Sequence, residues 1–407
     1  MDVNQPLALL AGLSPAQFMR RHWQKKPLLV RQAIAGFAPL LSRAALVQMA
    51  AREQVESRLI VRKDTGWTLQ KGPITSKKLP PLSQDGWTLL VQGVDLHEPA
   101  GHALLQQFRF VPDARMDDLM ISFATPGGGV GPHFDSYDVF LLQASGRRRW
   151  KIGKQKDFSL QQGVPLKILQ NFEAEEEFVL EAGDMLYLPP RYAHDGIAEV
   201  SGGTSGKPAD CMTYSIGFRC PVQTELASEL LHRLAEMGED AAQSSADEKG
   251  SGRAVPLSMY RDPGQPATET PAAMPAKLAA YAAQAVLESL KDPMALACAL
   301  GEYMTDPKPG VWFDEPPQPW EGDALKTGKA QVTLDARTRM MYDADHVFIN
   351  GESYRAKGAD ALLMHRLADQ RMLAGLELRK AGTSAVELLS DWHESGWLQQ
   401  TRLDAPG

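Results

Sequence analysis

The sequence has few cysteines, no long apolar run and no excess of basic charge. Its 407 residues include only 3 cysteines, Cys211, Cys220 and Cys298, whose spacing matches neither a zinc site nor a redox pair. This scarcity argues against a disulfide-stabilised secreted protein and favours a reducing compartment. No stretch approaches the roughly 20 uncharged apolar residues of a membrane span, and no basic residue precedes the short N-terminal apolar run as a secretory signal requires. We therefore expect a cytoplasmic protein without a membrane segment.

The charge balance is mildly acidic, with 43 Lys and Arg residues against 50 Asp and Glu residues and a formal net charge of -7. A sequence-independent nucleic-acid binder needs a basic surface, so direct DNA binding is not expected. An acidic protein attracts basic partners instead. The hydrophobic fraction of 43% is that of a globular protein, and the length suggests several domains of about 150 residues each.

The residue pattern changes twice along the chain, from β-rich to helical and then to mixed, and this predicts three parts. Residues 1–220 begin with a helix capped by Ser14, and continue with short β-rich runs separated by Gly, Pro and Asp, as in an all-β barrel or sandwich. Residues 221–309 carry helical apolar stripes, interrupted by a Ser-, Ala-, Gly- and Pro-rich stretch at 238–275 that predicts a mobile connection. Residues 310–407 predict a compact β/α module. The expected helices outside the barrel are Thr224–Met237, Ala276–Leu290, Pro293–Tyr303, Ala359–Gln370 and Thr383–Glu394, and the expected strands are Val332–Tyr342 and His346–Arg355 with an Asn350-Gly351 turn.

The glycine-rich run 126–131 leads into His133 and Asp135, which are two residues apart and so share one face of a strand. An imidazole and a carboxylate make two-thirds of the 2-His-1-carboxylate triad that binds non-haem Fe(II), and His194, after a strand ending in two prolines, is the leading candidate for the third ligand. Taken alone, a His-x-Asp pair is more often a surface or capping pair. A phosphate-binding loop is disfavoured because neither a Gly-Lys-Ser/Thr sequence nor a helix follows the glycines.

Arg148 is expected to point into the barrel. Strand alternation places it on the same face as Trp150 and Ile152, while Arg147, Arg149 and Lys151 lie on the other face. A buried arginine needs an anion, and the far carboxylate of a dicarboxylic cosubstrate chelating the iron would supply one. The alternative is that the three arginines form an exposed basic patch.

The strand 117–123 also has two faces. One is apolar, and the other carries Asp118, Met120 and Ser122. If this second face lines the cavity, Ser122 could help to hold the cosubstrate and Asp118 could bind a cationic substrate side chain. A solvated edge strand is the alternative.

Four motifs stand out in the first part of the chain: Gly131-Pro132-His133-Phe134-Asp135, Tyr137-Asp138-Val139-Phe140, Gly146-Arg147-Arg148-Arg149-Trp150, and Gly183 to Pro190 followed by His194. These motifs resemble those of the JmjC ribosomal oxygenases, and the bacterial branch, which hydroxylates an arginine of a large-subunit ribosomal protein, is the most similar. The order of parts is similar as well, as is the N-terminal segment 18–30.

The resemblance implies a mainly β fold with α segments: a JmjC double-stranded β-helix of the cupin type, a helical dimerisation region and a winged-helix-like C-terminal domain. It implies Fe(II), 2-oxoglutarate and O2 as cofactor and cosubstrates, and a homodimer that hydroxylates the β-carbon (C3) of an arginine in a basic ribosomal protein. The implied Fe(II) ligands are His133, Asp135 and His194, Arg148 would bind 2-oxoglutarate, and Asp118, Met120, Tyr137 and Ser215 would line the arginine pocket.

Two other functions remain open from the sequence. The same iron site could serve a histidyl hydroxylase or a lysyl demethylase. Alternatively, the barrel could be a non-catalytic metal-binding cupin that acts as a platform, with the C-terminal module binding nucleic acid or a ribosomal surface. An arginine beside the triad argues against an inactive barrel, and the acidic balance argues against DNA.

Overall fold

A computed structural model of the chain describes residues 2–63, 66–200, 210–238, 259–263, 266, 270 and 272–403, together with the backbone of 239–247. The chain divides into two compact units, Met1–Cys220 and Pro221–Gly407. No helix in the described ranges combines the length and apolarity needed to cross a membrane.

The described residues of the first unit form two antiparallel sheets and three α-helices. The strands are β1 Leu28–Val30, β2 Ser57–Lys63, β3 Gly66–Lys71, β4 Trp87–Val91, β5 Met116–Ala124, β6 Asp138–Ser145, β7 Arg148–Gly153, β8 Glu176–Leu180, β9 Met185–Leu188, β10 Ala193–Ala198 and β11 Cys211–Phe218. An eight-stranded sheet has the order β1-β9-β6-β11-β5-β4-β2-β3, and a three-stranded sheet has the order β10-β7-β8. The helices are α1 Pro15–Arg21, α2 Arg43–Ala50 and α3 Pro99–Gln106.

Alternation along the strands gives the large sheet two buried faces. On β6, Phe140 and Leu142 belong to the main apolar core, which also includes Phe18 of α1. Val139 and Leu141, on the opposite face, pack in a second core with residues of the small sheet. The large sheet therefore has the N-terminal helices on one side and the small sheet on the other, and the space between the two sheets is where side chains from both converge.

Helix α1 begins as the sequence predicts. The Ser14 hydroxyl accepts a hydrogen bond from the Gln17 N–H, and the Gln17 side chain accepts one from the Ser14 N–H, which forms a reciprocal capping box. Such a cap stabilises a helix start by about 1 kcal/mol. It fixes the helix that places Phe18 against the barrel.

The second unit combines helices with two small sheets in the part of it that the structure describes. The helices are α4 Gln223–Asp247, α5 Ala276–Ser289, α6 Pro293–Thr305, α7 Gly322–Lys326, α8 Gly358–Gln370 and α9 Thr383–Glu394. The strands are β12 Ala330–Leu334, β13 Met340–Tyr342, β14 His346–Ile349, β15 Glu352–Arg355, β16 Met372–Ala374 and β17 Leu398–Arg402. The sheet orders are β16-β12-β17 and β13-β14-β15.

Close packing and turn chemistry define this unit. A Cβ atom at Gly301 of α6 would collide with the ring of Phe348 on β14, so the glycine is what lets the helix approach the strand. The predicted Asn350-Gly351 turn is confirmed, with positive φ angles of 47° and 88° at the two residues. Positive φ at both central positions is what a two-residue hairpin of this hand requires.

Two sequence-based boundaries differ from the structure. Helix α4 continues to Asp247, so 238–247, which composition assigned to the mobile connection, are helical; most of the rest of that connection lies outside the described residues. The single strand expected over 332–342 is two strands, β12 and β13. They are separated by a turn in which the Asp335 carboxylate accepts the Arg337 N–H at 2.9 Å, a local hydrogen bond that competes with strand pairing.

Candidate active site

The glycine-rich segment 126–132 pairs with β10 and brings two histidines together. His133 and His194 exchange backbone hydrogen bonds, 3.0 Å from His133 N–H to His194 O and 2.8 Å in the reverse direction. A Cβ atom on Gly129 would lie 2.5 Å from the Gly196 carbonyl oxygen. A glycine is thus needed here because the segment lies so close to the neighbouring strand. This packing explains part of the glycine-rich run without any phosphate-binding role.

His133, Asp135 and His194 form a group that fits a metal ion. Their ligand atoms all lie within 4.8 Å of one another, with Asp135 carboxylate oxygens 3.9 Å from His133 Nε2 and 3.5 Å from His194 Nε2. The Nδ1 atoms lie 2.8 Å from the Gly131 carbonyl oxygen and 3.0 Å from that of Tyr192. These bonds place the proton on Nδ1 and leave each Nε2 lone pair for a metal. Two imidazoles and one carboxylate suit Fe(II) with positions open for other ligands.

His194 is held in its neutral form. Burial lowers the pKa of its imidazole to about 4, and the neighbouring His133 contributes to the decrease. Near neutral pH the side chain therefore carries no competing proton on its ligand nitrogen, as metal coordination requires.

The triad opens into a cavity of about 410 Å³ between the two sheets. Most of the side chains proposed from the sequence to contact substrate or cosubstrate line it: Met120, Ser122, Tyr137, Arg148 and Ser215. Asp118 is buried on the same face of β5, but it is not among the lining residues, and its carboxylate accepts the Gly93 N–H at 2.9 Å.

Arg148 is a buried cation facing this cavity, as strand alternation predicts. It is only 4% exposed, and its Nε and Nη2 atoms have no hydrogen-bond partner among the described residues. Arg149, on the opposite face of β7, instead pairs with Glu177 and Glu199. Burying unpartnered guanidinium nitrogens is costly, and a carboxylate can accept two parallel hydrogen bonds from such a group.

Three polar or charged lining residues were missed from the sequence: Arg58 on β2, Thr213 on β11 and Lys167 in the loop between β7 and β8. Thr213 donates to Gln143 at 2.8 Å and its backbone carbonyl oxygen accepts the Ser122 hydroxyl at 3.3 Å. Strand alternation places Arg58 on the same face of β2 as Ile60, which is a sign that its side chain points inward. Nothing in the sequence, however, indicated that this face of β2 would line the cavity.

Tyr137 stays protonated in the site. Burial raises the pKa of its hydroxyl far above the usual range, and the carboxylates of Asp135 and Asp118 raise it further. The hydroxyl can therefore donate a hydrogen bond and does not act as a base.

The start of β6 is fixed by a buried carboxylate adjacent to Tyr137. Asp138 accepts hydrogen bonds from the Tyr187 hydroxyl at 2.6 Å, from Gln24 at 3.1 Å and from Arg115 at 3.2 Å. Because these donors come from three separate segments, they hold the backbone that presents Tyr137.

Two known domain families match the chain. A JmjC domain matches residues 103–226, and a ROXA-like winged helix matches residues 288–399. The expected fold class, a JmjC cupin followed by a winged-helix domain, is thereby confirmed.

Comparison with individual proteins gives the same family. The ribosomal protein uL16 3-hydroxylase of Escherichia coli is 34% identical over 353 residues, which cover 85% of this chain and 86% of that protein. A probable ribosomal oxygenase of Haemophilus influenzae is 36% identical over 214 residues, 51% of this chain and 50% of that protein. The X-ray structure of E. coli ycfD matches with a TM-score of 0.76 and 31% identity, covering 95% of this chain and 98% of that chain. The structure of the same E. coli ribosomal oxygenase in complex with cobalt and 2-oxoglutarate matches with a TM-score of 0.73 and 30% identity, covering 95% and 97% of the two chains. The chain therefore belongs to the JmjC ribosomal oxygenases.

Proposed function

We propose that this protein is a 2-oxoglutarate- and Fe(II)-dependent oxygenase that hydroxylates C3 of an arginine residue in a large-subunit ribosomal protein. The observation that carries the chemistry is the unpartnered Arg148 guanidinium in the same cavity as the His133, Asp135 and His194 ligand atoms. The choice of substrate is supported by the uL16 3-hydroxylase, which is similar over 85% of the chain.

The roles of the residues follow from their positions. His133, Asp135 and His194 would hold Fe(II), and Arg148 would pair with the distal carboxylate of 2-oxoglutarate. When bound, iron and 2-oxoglutarate supply an oxidant by coupling O2 to decarboxylation of the 2-oxo acid to succinate. Ser122 and Thr213 lie on the cavity face of adjacent strands, in register with each other, and would complete the polar wall around the cosubstrate.

The remaining wall would hold the substrate. Met120 and Ser215 are paired across β5 and β11, and with Tyr137 they line the cavity. The Tyr137 hydroxyl would donate a hydrogen bond to the polypeptide. Asp118, buried nearby on β5, would supply negative charge for the guanidinium. The task of these residues is to hold one unactivated carbon close to the metal, since positioning accounts for much of the rate in such reactions.

The site suits catalysis better than a passive platform. A platform gains nothing from an unpartnered buried cation, whereas an enzyme that must bind a dicarboxylate needs one. We place the reaction in the cytoplasm, without direct DNA binding.

We also propose a homodimer formed through the helical region. Helices α4 and α5 expose large apolar side chains, with Leu231 at 41%, Val286 at 50% and Leu287 at 57% exposure. A second copy of the chain would cover them.

Mass spectrometry of ribosomal proteins incubated with the protein, Fe(II) and 2-oxoglutarate tests the function. We expect one large-subunit protein to gain the mass of one oxygen atom on an arginine, with matching succinate formation, and no gain with the His133→Ala variant. An oxygen on histidine, or loss of a methyl group from lysine, would replace the arginine assignment with one of the two related activities. If the protein did not bind 2-oxoglutarate in the presence of Fe(II), the non-catalytic metal-binding platform would be the only one of these functions to remain.

A further inference from the structure

A second, smaller cavity of about 160 Å³ lies beside the catalytic one. The segment 129–132 separates the two, because Val130 lines the large cavity whereas Gly129 and Gly131 line the small one. The other groups that give the small cavity its chemistry are Arg62 on β2, Trp67 on β3 and Asp195 on β10.

Asp195 is the acidic group of this cavity, and its carboxylate makes neither a hydrogen bond nor an ion pair with the described residues. It follows His194 on β10, so alternation directs the two side chains to opposite sides, the imidazole into the large cavity and the carboxylate into the small one. A partly buried carboxylate of this kind is stabilised by a cationic donor.

The other wall of the small cavity also favours a cation. Trp67 presents an indole ring, and aromatic faces attract ammonium and guanidinium groups. The ring already attracts one cation, since the Arg62 guanidinium lies 5.5 Å from its centroid. Arg62 is exposed and acts on Asp195 only through space, because the two side chains form neither an ion pair nor a hydrogen bond.

The two cavities are spaced along one strand face. Arg58 and Ile60 of β2 line the large cavity, and Arg62, the next residue on the same face, lines the small one. Same-face residues of a strand are about 6.8 Å apart. An extended polypeptide advances at about the same rate, so side chains that enter the two cavities would be roughly two to four residues apart.

We propose that the small cavity binds a second cationic side chain, lysine or arginine, of the polypeptide substrate, two to four residues from the one that is hydroxylated. This inference rests on the proposed function only in taking the ligand of the large cavity to be part of a polypeptide. It adds a specificity determinant outside the metal site, with Asp195 and Trp67 as its two contacts.

Binding of defined peptides to the full-length protein tests the proposal. The probes are blocked alanine-serine peptides with one central arginine and either no second charge or a second arginine 2, 3 or 4 residues before or after it. Affinity is measured with a redox-inert divalent ion and 2-oxoglutarate present. We expect at least one spacing to bind roughly three- to tenfold more tightly than the single-arginine peptide, the effect of one partly desolvated ion pair.

The gain in affinity should disappear in the Asp195→Asn variant and decrease in Trp67→Leu. It should persist in Asp85→Asn, which removes the same charge from an exposed position that lines neither cavity. Unchanged binding of the single-arginine peptide controls for damage to the neighbouring His194. If Asp195→Asn does not fold, Trp67→Leu carries the test.

A gain of the same size in the parent and Asp195→Asn proteins, or no gain at any spacing, overturns the inference. Tighter binding of peptides with a second glutamate would also overturn it, because that would assign the cavity to an anion through Arg62. Hydroxylation of the same peptides with Fe(II) is measured separately. Hydroxylation without an Asp195-dependent gain refutes the second site alone, and an Asp195-dependent gain without hydroxylation refutes the proposed function alone.

Discussion

Replacing Arg148 with methionine should change stability and cosubstrate affinity in opposite directions. Without 2-oxoglutarate, the guanidinium is buried and two of its nitrogens have no partner in the described residues. Exchanging such a charge for an apolar side chain of similar length removes a desolvation cost, so the unliganded variant should be as stable as the parent or more stable by about 1–4 kcal/mol.

The same change should weaken 2-oxoglutarate binding severely. Truncating one partner of a buried, hydrogen-bonded charge pair costs about 2–5 kcal/mol, which corresponds to a roughly 30-fold to more than 1000-fold higher Kd or KM. The parent protein should be stabilised by about 2.7 kcal/mol when 2-oxoglutarate is present at 100 times its Kd, and the variant should show almost no stabilisation at that concentration.

Thermal unfolding with a redox-inert divalent ion, with and without 2-oxoglutarate, measures both effects in one assay, and succinate formation gives the KM. Arg149→Met is the matched control, because Arg149 lies on the opposite face of the same strand and pairs with Glu177 and Glu199. The reasoning is refuted if Arg148→Met binds 2-oxoglutarate within threefold of the parent, or if its unliganded form is markedly less stable.

Three further predictions concern the metal site and the strand pairing that supports it. Asp135→Ala should remove the only carboxylate of the ligand group and lower divalent-metal affinity by at least about tenfold, as metal titration would show, while the fold persists by circular dichroism. In the folded protein the pKa of His194 is lowered from 6.5 to about 4. The metal-free protein should therefore lose on the order of 3 kcal/mol of stability as the pH falls through that interval, because the unfolded chain takes up a proton that the folded chain does not. In the His194→Asn variant the denaturant midpoint should change much less over this pH range. Gly196→Ala should lower the free energy of unfolding by roughly 1–3 kcal/mol, since a Cβ atom there would lie 2.5 Å from the Trp150 ring. Gly238→Ala is the control and should be tolerated, because no atom lies within 4 Å of a Cβ atom at that position. Equal unfolding temperatures for the two variants would contradict this packing argument.

The metal group could be predicted because local rules place each member. The His-x-Asp spacing on an extended segment puts two ligands on one side whatever the partner strand is, and the β texture makes a converging strand end at His194 plausible. The burial of Arg148 followed from the same alternation. Local periodicity is thus sufficient where a single strand determines which side chains share a face.

The rest depended on strand pairing, which local periodicity does not encode. Thr213 lies beside Ser122 only because β11 pairs with β5, from a position far along the chain. Arg58 reaches the cavity because β2 is placed two strands away from β5, through β4. Asp118 lies on the predicted face of β5, but its carboxylate accepts a hydrogen bond from the Gly93 N–H. This contact comes from a distant part of the chain, so strand alternation alone does not predict it.

Pairing between segment 126–132 and β10 supports both the metal-ligand group and the second cavity. The backbone exchange between His133 and His194 sets the separation of two metal ligands, and the same strands divide the catalytic cavity from the one lined by Asp195. A displacement of β10 would therefore move His194 and Asp195 together and change both cavities at once. The close approach of Gly129 to Gly196 leaves little freedom for such a displacement. The glycines next to the metal ligands thus fix both the geometry at the metal and the spacing between the two side chains that we expect the substrate to present.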